Sequence, residues 1–532
     1  MSANSNPSRV AGTASGSVAF AFAAIVLAML PAVLDQTILS TALPTISADL
    51  GRLTDVSWVV SVYVIAAAAT TPLWGKLGDR HGRKRLLEIT LTLFLIASAL
   101  CGLAQDITML IVLRSVQGAA AGGLMTLAMA TVGDLVSPRE RGRYQGYIAA
   151  TFAVATVLGP LIGGLLVQHA SWRWVFYVNL PLGVLALTGL HLRLPAPPTD
   201  RPAPRLDAVG AGMLVLATSA VMLTCIWGGQ RYAWDSAPIL ALIAATVLLT
   251  GALIAHERRA ADPIVPLHMF KTPTVAVTSV ALFLSTAALF AITVFVPLFL
   301  QTATGASPTQ AGLLLVPMMA GITISTTLSG RRISRTGRYK RFPIAGLALM
   351  TAALLLLAVL APRHSRTGTG IGLAVFGLGF GMVGQILIVA VQNSVERREL
   401  GSATATTSFF RGLGGAIGAA ALGAVFAARA GVHGSHSGPQ ALGLAAHAHI
   451  IPAVQAVFIV AAPLAALALI VTLALPEIPL QTRQGSHSPP QNSLTEIPRP
   501  SRSIPPRRAQ KRRVNPQRSH PLARLAARSD DA

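Results

Sequence analysis

The chain is poor in charge, and poorest in acids. Of its 532 residues only 11% are charged, and 19 Asp or Glu stand against 42 Lys or Arg. Soluble domains carry about 25% charged residues, so a solvated globular surface of ordinary composition is excluded. Cysteine is nearly absent: Cys101 and Cys225 both fall in apolar runs, which argues against a disulfide framework or a metal site. They read as small packing residues. No GxxxxGK[ST] loop occurs, so the chain is not expected to hydrolyse ATP or to be an enzyme, and no cofactor is implied. His433, His436, His447 and His449 fit no standard metal spacing and read as a wet surface loop. A cleavable signal peptide is not expected, because the first apolar run is too long for one.

Long apolar runs are what the chain has instead. Stretches such as "VAFAFAAIVLAMLPAVL" and "VQAVFIVAAPLAALALIVTLAL" approach or exceed the ~20 residues that cross a bilayer as a helix. The spacing predicts fourteen spans, at 18–41, 57–76, 86–104, 108–129, 146–167, 174–193, 208–227, 237–256, 275–300, 309–329, 343–362, 369–392, 404–427 and 451–475. Spans 12 and 13 are rich in Gly and Ala, which permit close helix contacts. The fold class is therefore an all-α integral membrane protein.

The net charge of +23 lies mostly in short clusters between spans and in the C-terminal tail. That pattern is an orientation signal, and no nucleic-acid partner is expected. Alternate loops carry 22 and 6 basic residues, and the positive-inside rule puts the richer set in the cytoplasm. An even number of spans places both termini there too. The tail from Pro476 onward, with "PRPSRSIPPRRAQKRR", has the composition of a disordered, solvated segment.

An internal repeat is visible at an offset of 255 residues: "GKLGDRHGRKR" begins at Gly75 and "GRRISRTGRYK" at Gly330. Gly75 matches Gly330, Arg80 matches Arg335, Gly82 matches Gly337 and Arg83 matches Arg338. Each copy follows the second span of a six-span unit, provided that spans 7 and 8 are an inserted pair. Parallel repeats of this kind are a transporter feature. The organisation expected is a cytoplasmic N-terminus (1–17), a six-helix bundle (18–193), an inserted pair with linkers (194–270), a second six-helix bundle (271–475) and the basic tail (476–532).

Several motifs then coincide in order: "LDQTILSTALP" from Leu34, "GKLGDRHGRKR" from Gly75, "LRSVQG" from Leu113, "GPLIGG" from Gly159, "WRWVFYVNLPLG" from Trp172 and "RGLGGAIGAA" from Arg411. Together they resemble the major facilitator superfamily, and within it the fourteen-helix drug:proton antiporters of the EmrB/QacA type. Ala155 stands where that pattern usually has glycine. The resemblance implies a membrane exporter that exchanges a small amphipathic molecule for protons by rocking two bundles. It also implies a cell-membrane location, a monomeric working unit and a proton gradient as the energy source.

The residues themselves say what each motif needs. In the loop motif, Gly75, Gly78 and Gly82 permit tight turns and close approach. Asp79 is an anion that suits a helix N-terminus or an arginine, while Arg80 and Arg83 can fork onto carboxylates. The resemblance makes this loop a latch, complete only in the first copy because Ser334 replaces Asp79 in the second. Gly159, Pro160, Gly163 and Gly164 are implied by the resemblance to form a hinge or seal between spans 5 and 8-like elements of the two halves. Only Asp35, Arg114 and Arg411 are charges deep inside spans. Asp35 and Arg114 reach a common depth, roughly 10 Å below the outer surface at ~1.5 Å per residue, and Gln117 lies one turn on. A nearby arginine favours a charged carboxylate and desolvation disfavours it, so this trio is the candidate for proton coupling, with a static ion pair as the alternative. Arg411 is read as snorkelling to the cytoplasmic surface, with no role. Tyr63, Asn179, Gln301, Gln385, Gln392 and Asn393 are candidate cavity-lining residues. An endogenous metabolite as substrate, uptake by symport, or a receptor that does not transport are the competing readings.

Overall fold

In lipid every backbone polar group must find its partner within the protein, and the apolar runs answer this by forming helices. The computed structural model describes residues 7–50, 53–194, 207–229, 231–260, 262–303, 312–363, 365–430 and 444–480. The helices are α1 (Pro7–Leu50), α2 (Leu53–His81), α3 (Arg83–Gly102), α4 (Ile107–Leu135), α5 (Pro138–His169), a short α6 (Trp174–Tyr177), α7 (Asn179–Arg193), α8 (Ala208–Trp227) and α9 (Ala237–Glu257). They continue with α10 (Pro273–Ala303), α11 (Val316–Thr336), α12 (Arg341–Leu360), α13 (Arg366–Gly381), α14 (Gly384–Ser394), α15 (Leu400–Ala430) and α16 (Leu444–Leu473).

Polar residues set the helix ends. Asp106 accepts from the Met109 N–H at 2.8 Å, Asp207 from Gly210 at 2.8 Å and Ser365 from Gly368 at 3.0 Å, each satisfying a donor that a helix start leaves free. Gly82, with φ of 88°, separates α2 from α3, and Gly337, with φ of 70°, ends α11. These are equivalent positions of the sequence repeat. Both copies keep glycine there because a side chain is strained at positive φ.

Thirteen helices among the described residues are long and apolar enough to cross a membrane. The expected span at 309–329 is not in that set. Its first residues lie outside those described, and α11 ends in Arg331, Arg332 and Arg335. This helix still packs against α5 and α13. The span expected at 369–392 is broken at Met382 and Val383, between α13 and α14.

The first seven helices pack on one another, chiefly α2 on α4, α3 on α4, and α1 on α5 and α7; α10 to α16 do the same. The pair α8 and α9 lies outside both groups. α8 leans on α2 and α15, with Trp227 meeting Trp58 edge-on at 5.4 Å. Only Ile239 and Glu257 are buried in α9, and Val247 and Leu248 are 66% and 72% exposed, as suits a helix bathed in lipid. Residues 476–480 are held down, in contrast to the disorder expected from composition. The Pro476 carbonyl accepts from Tyr339 Oη and the Leu480 N–H donates to Gly337. The rest of the tail lies outside the described residues.

Candidate functional site

Three sets of polar residues are built at helix contacts. The first surrounds Asp35 on α1, which is fully buried with Arg114, Gln117 and Asn179. Arg114 Nη1 forms an ion pair with Asp35 Oδ2. Gln117 Nε2 donates to Asp35 Oδ1 at 3.0 Å, and Asn179 Nδ2 donates to the same oxygen at 3.3 Å. Arg114 also donates to Gln117 Oε1 at 2.8 Å and to the Val59 carbonyl at 3.2 Å, and its guanidinium lies 4.2 Å above the Tyr63 ring. Asn179 reaches on to Ser98 Oγ at 3.0 Å, and Ser98 donates to the Phe176 carbonyl. The carboxylate is thus held by three donors from α4 and α7. In a low-dielectric interior such a network is stable while the acid stays charged.

Two residues expected to line a cavity belong here instead. Asn179 is a hydrogen-bond donor to Asp35, and Tyr63 lies under Arg114. The helix carrying Asn179 begins inside "WRWVFYVNLPLG", a motif whose contribution to Asp35 sequence reasoning missed. Its Trp172 indole and Arg173 guanidinium also hold Asp49 at the far end of α1, and the Trp172 bond, followed by Arg173, keeps that carboxyl below its ordinary range.

The second set is the loop motif. Asp79 Oδ1 accepts from the Gly401 N–H at 2.8 Å, and Oδ2 accepts from the Ser402 N–H at 2.7 Å and the Ser402 hydroxyl at 2.9 Å. A carboxylate here faces the positive start of α15. Arg83 binds Asp79 at 2.6 Å and also pairs with Asp134 on α4. Arg80 does not fork onto a carboxylate as expected: its Nε and Nη1 are buried without a partner. Gly78 leaves room for Leu127, whose Cδ2 lies 2.3 Å from where a Cβ would stand. Lys76 pairs with Asp262, beyond α9, which ties the inserted pair to this loop. Below α8, burial alone would raise Asp207, but the Gly210 N–H and His256 overcome it and hold the carboxyl low.

The third set seals α5 against the other half. A Cβ on Gly75 would lie 2.7 Å from the Gly401 oxygen, and one on Gly330 would lie 2.1 Å from the Gly142 oxygen. The repeat therefore places each matched glycine at the closest helix crossing between halves, α2 on α15 and α11 on α5. Among the described residues no hydrogen bond links Ser334 to α5, so the carboxylate latch exists in the first copy alone. Arg141 donates to the Gln392 carbonyl at 3.0 Å, and Gln392 Nε2 donates to the Met129 carbonyl at 3.3 Å and to Thr404 Oγ1 at 3.2 Å. Gln392 is thus part of the seal rather than of a cavity lining. Asn393 is also not in a cavity: it donates to the Ile478 carbonyl. Gln385 is half-buried with Oε1 unpartnered, and the Gln301 side chain lies outside what is described. Gln145, 1% exposed and flanked by Arg141 and Gly146 at the seal, has neither amide atom bonded. A buried unpartnered amide costs about 1–3 kcal/mol.

Among the described residues the glycines of "GPLIGG" meet α1 rather than the other half. A Cβ on Gly159 would lie 2.0 Å from Thr37 Oγ1, and one on Gly163 would lie 2.3 Å from Thr41 Oγ1; Gly164 meets nothing. These glycines press α5 onto α1, within two turns of Asp35, and α5 runs through Pro160 as one helix. The contact between halves belongs to Gly142 and Gly146 at the other end of α5, which the sequence analysis did not single out.

All these contacts between halves lie at the end that carries the arginine-rich loops, called the basic end below. Residues 401–407 of α15 are buried without interruption. Gly412, two turns past Ala405 on the same stripe, has nothing within 4 Å of a would-be Cβ. Among the described residues, the contacts between halves named above all lie at the basic end.

Helices so arranged, with a repeat that matches glycines at pseudo-equivalent crossings, agree with what sequence comparison finds: the pattern of the Major Facilitator Superfamily matches residues 25–419. The chain belongs to this superfamily. Its thirteen described helices of membrane-crossing length and composition fit that family. It is 36% identical over 411 residues to the multidrug transporter protein MdtP of Bacillus subtilis, covering 76% of this chain and 75% of that one. It is 40% identical over 405 residues to an uncharacterised MFS-type transporter of Mycobacterium tuberculosis, a match that spans 76% of this chain but only 59% of the relative's length. Among solved structures, the proton:xylose symporter XylE aligns with a TM-score of 0.61 at 15% identity, over 87% of this chain and 97% of that one. At that identity the likeness speaks of the fold alone.

Proposed function

We propose that the chain is a proton-coupled exporter of small amphipathic molecules, a fourteen-helix drug:proton antiporter working by alternating access. The observation that carries this reading is Asp35, a fully buried carboxylate held by Arg114, Gln117 and Asn179. Charges inside a membrane are costly and usually belong to ion or proton pathways. Protonation of Asp35 removes the charge that Arg114 pairs with and frees α1. α1 bears on α5 through Thr37 and Thr41, and α5 seals the basic end through Gly142 and Gly146. A proton at Asp35 thereby biases the seal toward opening.

The basic end is assigned to the cytoplasm by its arginines, with both termini on that side of the cell membrane. The closed contacts then make the structure outward-facing. Two six-helix halves, 18–193 and 271–475, rock about the site, with 194–270 as an inserted pair. The working unit is a monomer that uses the proton gradient and no bound cofactor. Efflux rather than uptake is supported by a relative of Gibberella fujikuroi, 33% identical, whose name is efflux pump FUS6.

Everted membrane vesicles from cells overproducing the chain test the reading. When energised by respiration they should accumulate dyes from a panel of amphipaths, and a protonophore or Asp35→Asn should stop the accumulation. Accumulation that survives collapse of the proton gradient would defeat coupling, and no dye flux at all would favour a receptor that does not transport.

A further inference from the structure

We propose that Arg411 on α15 is the counter-charge for an anionic group of the exported molecule, so that the substrate class is an amphipathic organic carboxylate. This rests on the exporter reading above.

Four observations converge. First, Arg411 is not at the helix end. It stands eleven residues past Leu400, about 16 Å along the helix axis at 1.5 Å per residue. That is beyond an arginine's reach to the basic surface, so the snorkelling expected from sequence does not apply. Second, among the described residues it has no hydrogen-bond or ion-pair partner. The acid at comparable depth, Asp35, is fully buried and already engaged by Arg114. An uncompensated guanidinium inside a membrane protein is costly unless a cavity supplies an anion or water.

Third, the helix faces say where it points. Arg411 lies seven residues beyond Thr404, two helical turns on nearly the same face. Thr404 accepts the Gln392 amide, which in turn reaches the Met129 carbonyl of the other half. The face of α15 that carries Arg411 is therefore the one turned to α14, about 100° round the helix from the Gly401 and Ala405 stripe that meets α2 of the other half. Gly412 meets nothing within 4 Å, so there is room beside it. Fourth, α14 runs antiparallel to α15, and Gln385 lies seven residues before Gln392, again two turns on one face. Gln385 is therefore level with Arg411, and its buried amide oxygen has no partner. It sits at the start of α14, where Met382 and Val383 interrupt the span and the first backbone N–H groups of a helix lack intrahelical acceptors. Broken helices at mid-membrane are where transporters of several folds bind polar groups.

A carboxylate placed between them accepts from the guanidinium fork and from the Gln385 amide, whose O and N are interchangeable by rotation. One turn outward, the Phe290 ring covers Gly415 and offers an apolar surface for the rest of the molecule. A cation finds no such partner, because no unpaired acid lies at this depth among the described residues.

The test uses the full-length protein in discs of zwitterionic lipid and three probes sharing one fluorophore: dansylglycine (anionic), its amide (neutral) and dansylethylenediamine (cationic). Wild type should bind dansylglycine about tenfold or more tightly than the amide, the scale of one charge-assisted contact. Arg411→Gln should erase that preference while Arg411→Lys keeps most of it, all with unchanged gel-filtration profiles. Equal binding of the three probes by wild type, absence of dansylglycine binding, or a preference that survives Arg411→Gln would overturn the proposal. So would displacement of dansylglycine by phosphatidylglycerol in the disc, which would assign the site to a lipid headgroup. Binding needs no proton gradient, so loss of coupled flux with binding intact counts against the exporter reading, not against this site.

Discussion

Arg114→Leu should remove about 3–5 kcal/mol of stability, because it leaves Asp35 charged and buried with no counter-ion, and it should abolish export. The double replacement Asp35→Leu with Arg114→Leu should recover most of the lost stability, since a buried pair exchanged for apolar residues of similar size is often close to neutral. Export should stay at zero. Thermal unfolding of the detergent-solubilised proteins, alongside vesicle flux, separates the two effects. A static ion pair predicts instead that the double variant, once stable, transports. The expectation rests on geometry: Asp35 and Arg114 are fully enclosed, and Gln117 and Asn179 complete the ring around the carboxylate.

Gly330→Val should lower transport on the order of a hundredfold without unfolding the protein, the change that follows when one of two alternating states is penalised by a few kcal/mol. A Cβ at this position would lie 2.1 Å from the Gly142 carbonyl oxygen, and backbone at that distance cannot yield while the basic end is closed. The halves, each folded on its own contacts, would be held apart. Gly251→Val in α9 supplies the control, because nothing lies within 4 Å of its would-be Cβ. It should leave flux close to wild type. Flux measured in the same vesicles decides between them, and an inactive Gly251→Val beside an active Gly330→Val would reverse the account of the seal.

Much of this arrangement was legible in the sequence, for physical reasons that differ from residue to residue. The spans were visible because lipid tolerates only long apolar segments. The partnership of Asp35 with Arg114 followed from depth alone, since two charges at one level in opposite-running helices have little else to meet. The repeat identified Gly82 and Gly337, which share a positive φ, and Gly75 and Gly330, which stand at equivalent crossings. What stayed hidden is rotational. A helix apolar on every side gives no face from which to read its neighbour, so the packing of the "GPLIGG" glycines on α1 and the bond from Asn179 to Asp35 were not foreseen. Arg411 stands eleven residues into α15, which begins at Leu400 and runs unbroken to Ala430, where the apolar run suggested a start at 404. The interruption at Met382 and Val383 carries no proline, only a cluster of glycines that suits a helix contact equally well.

The central claim is that the proton on Asp35 controls closure of the basic end. Spin labels on cysteines replacing the exposed Arg85 and Arg338, in a background with Cys101 and Cys225 changed to serine, report the distance across that end by pulsed electron spin resonance. On acidification the population at longer distance should grow while Asp35 is present. In Asp35→Asn it should be large at every pH and insensitive to acid. An acid response that is the same in Asp35→Asn, or none with Asp35 in place, would contradict the account.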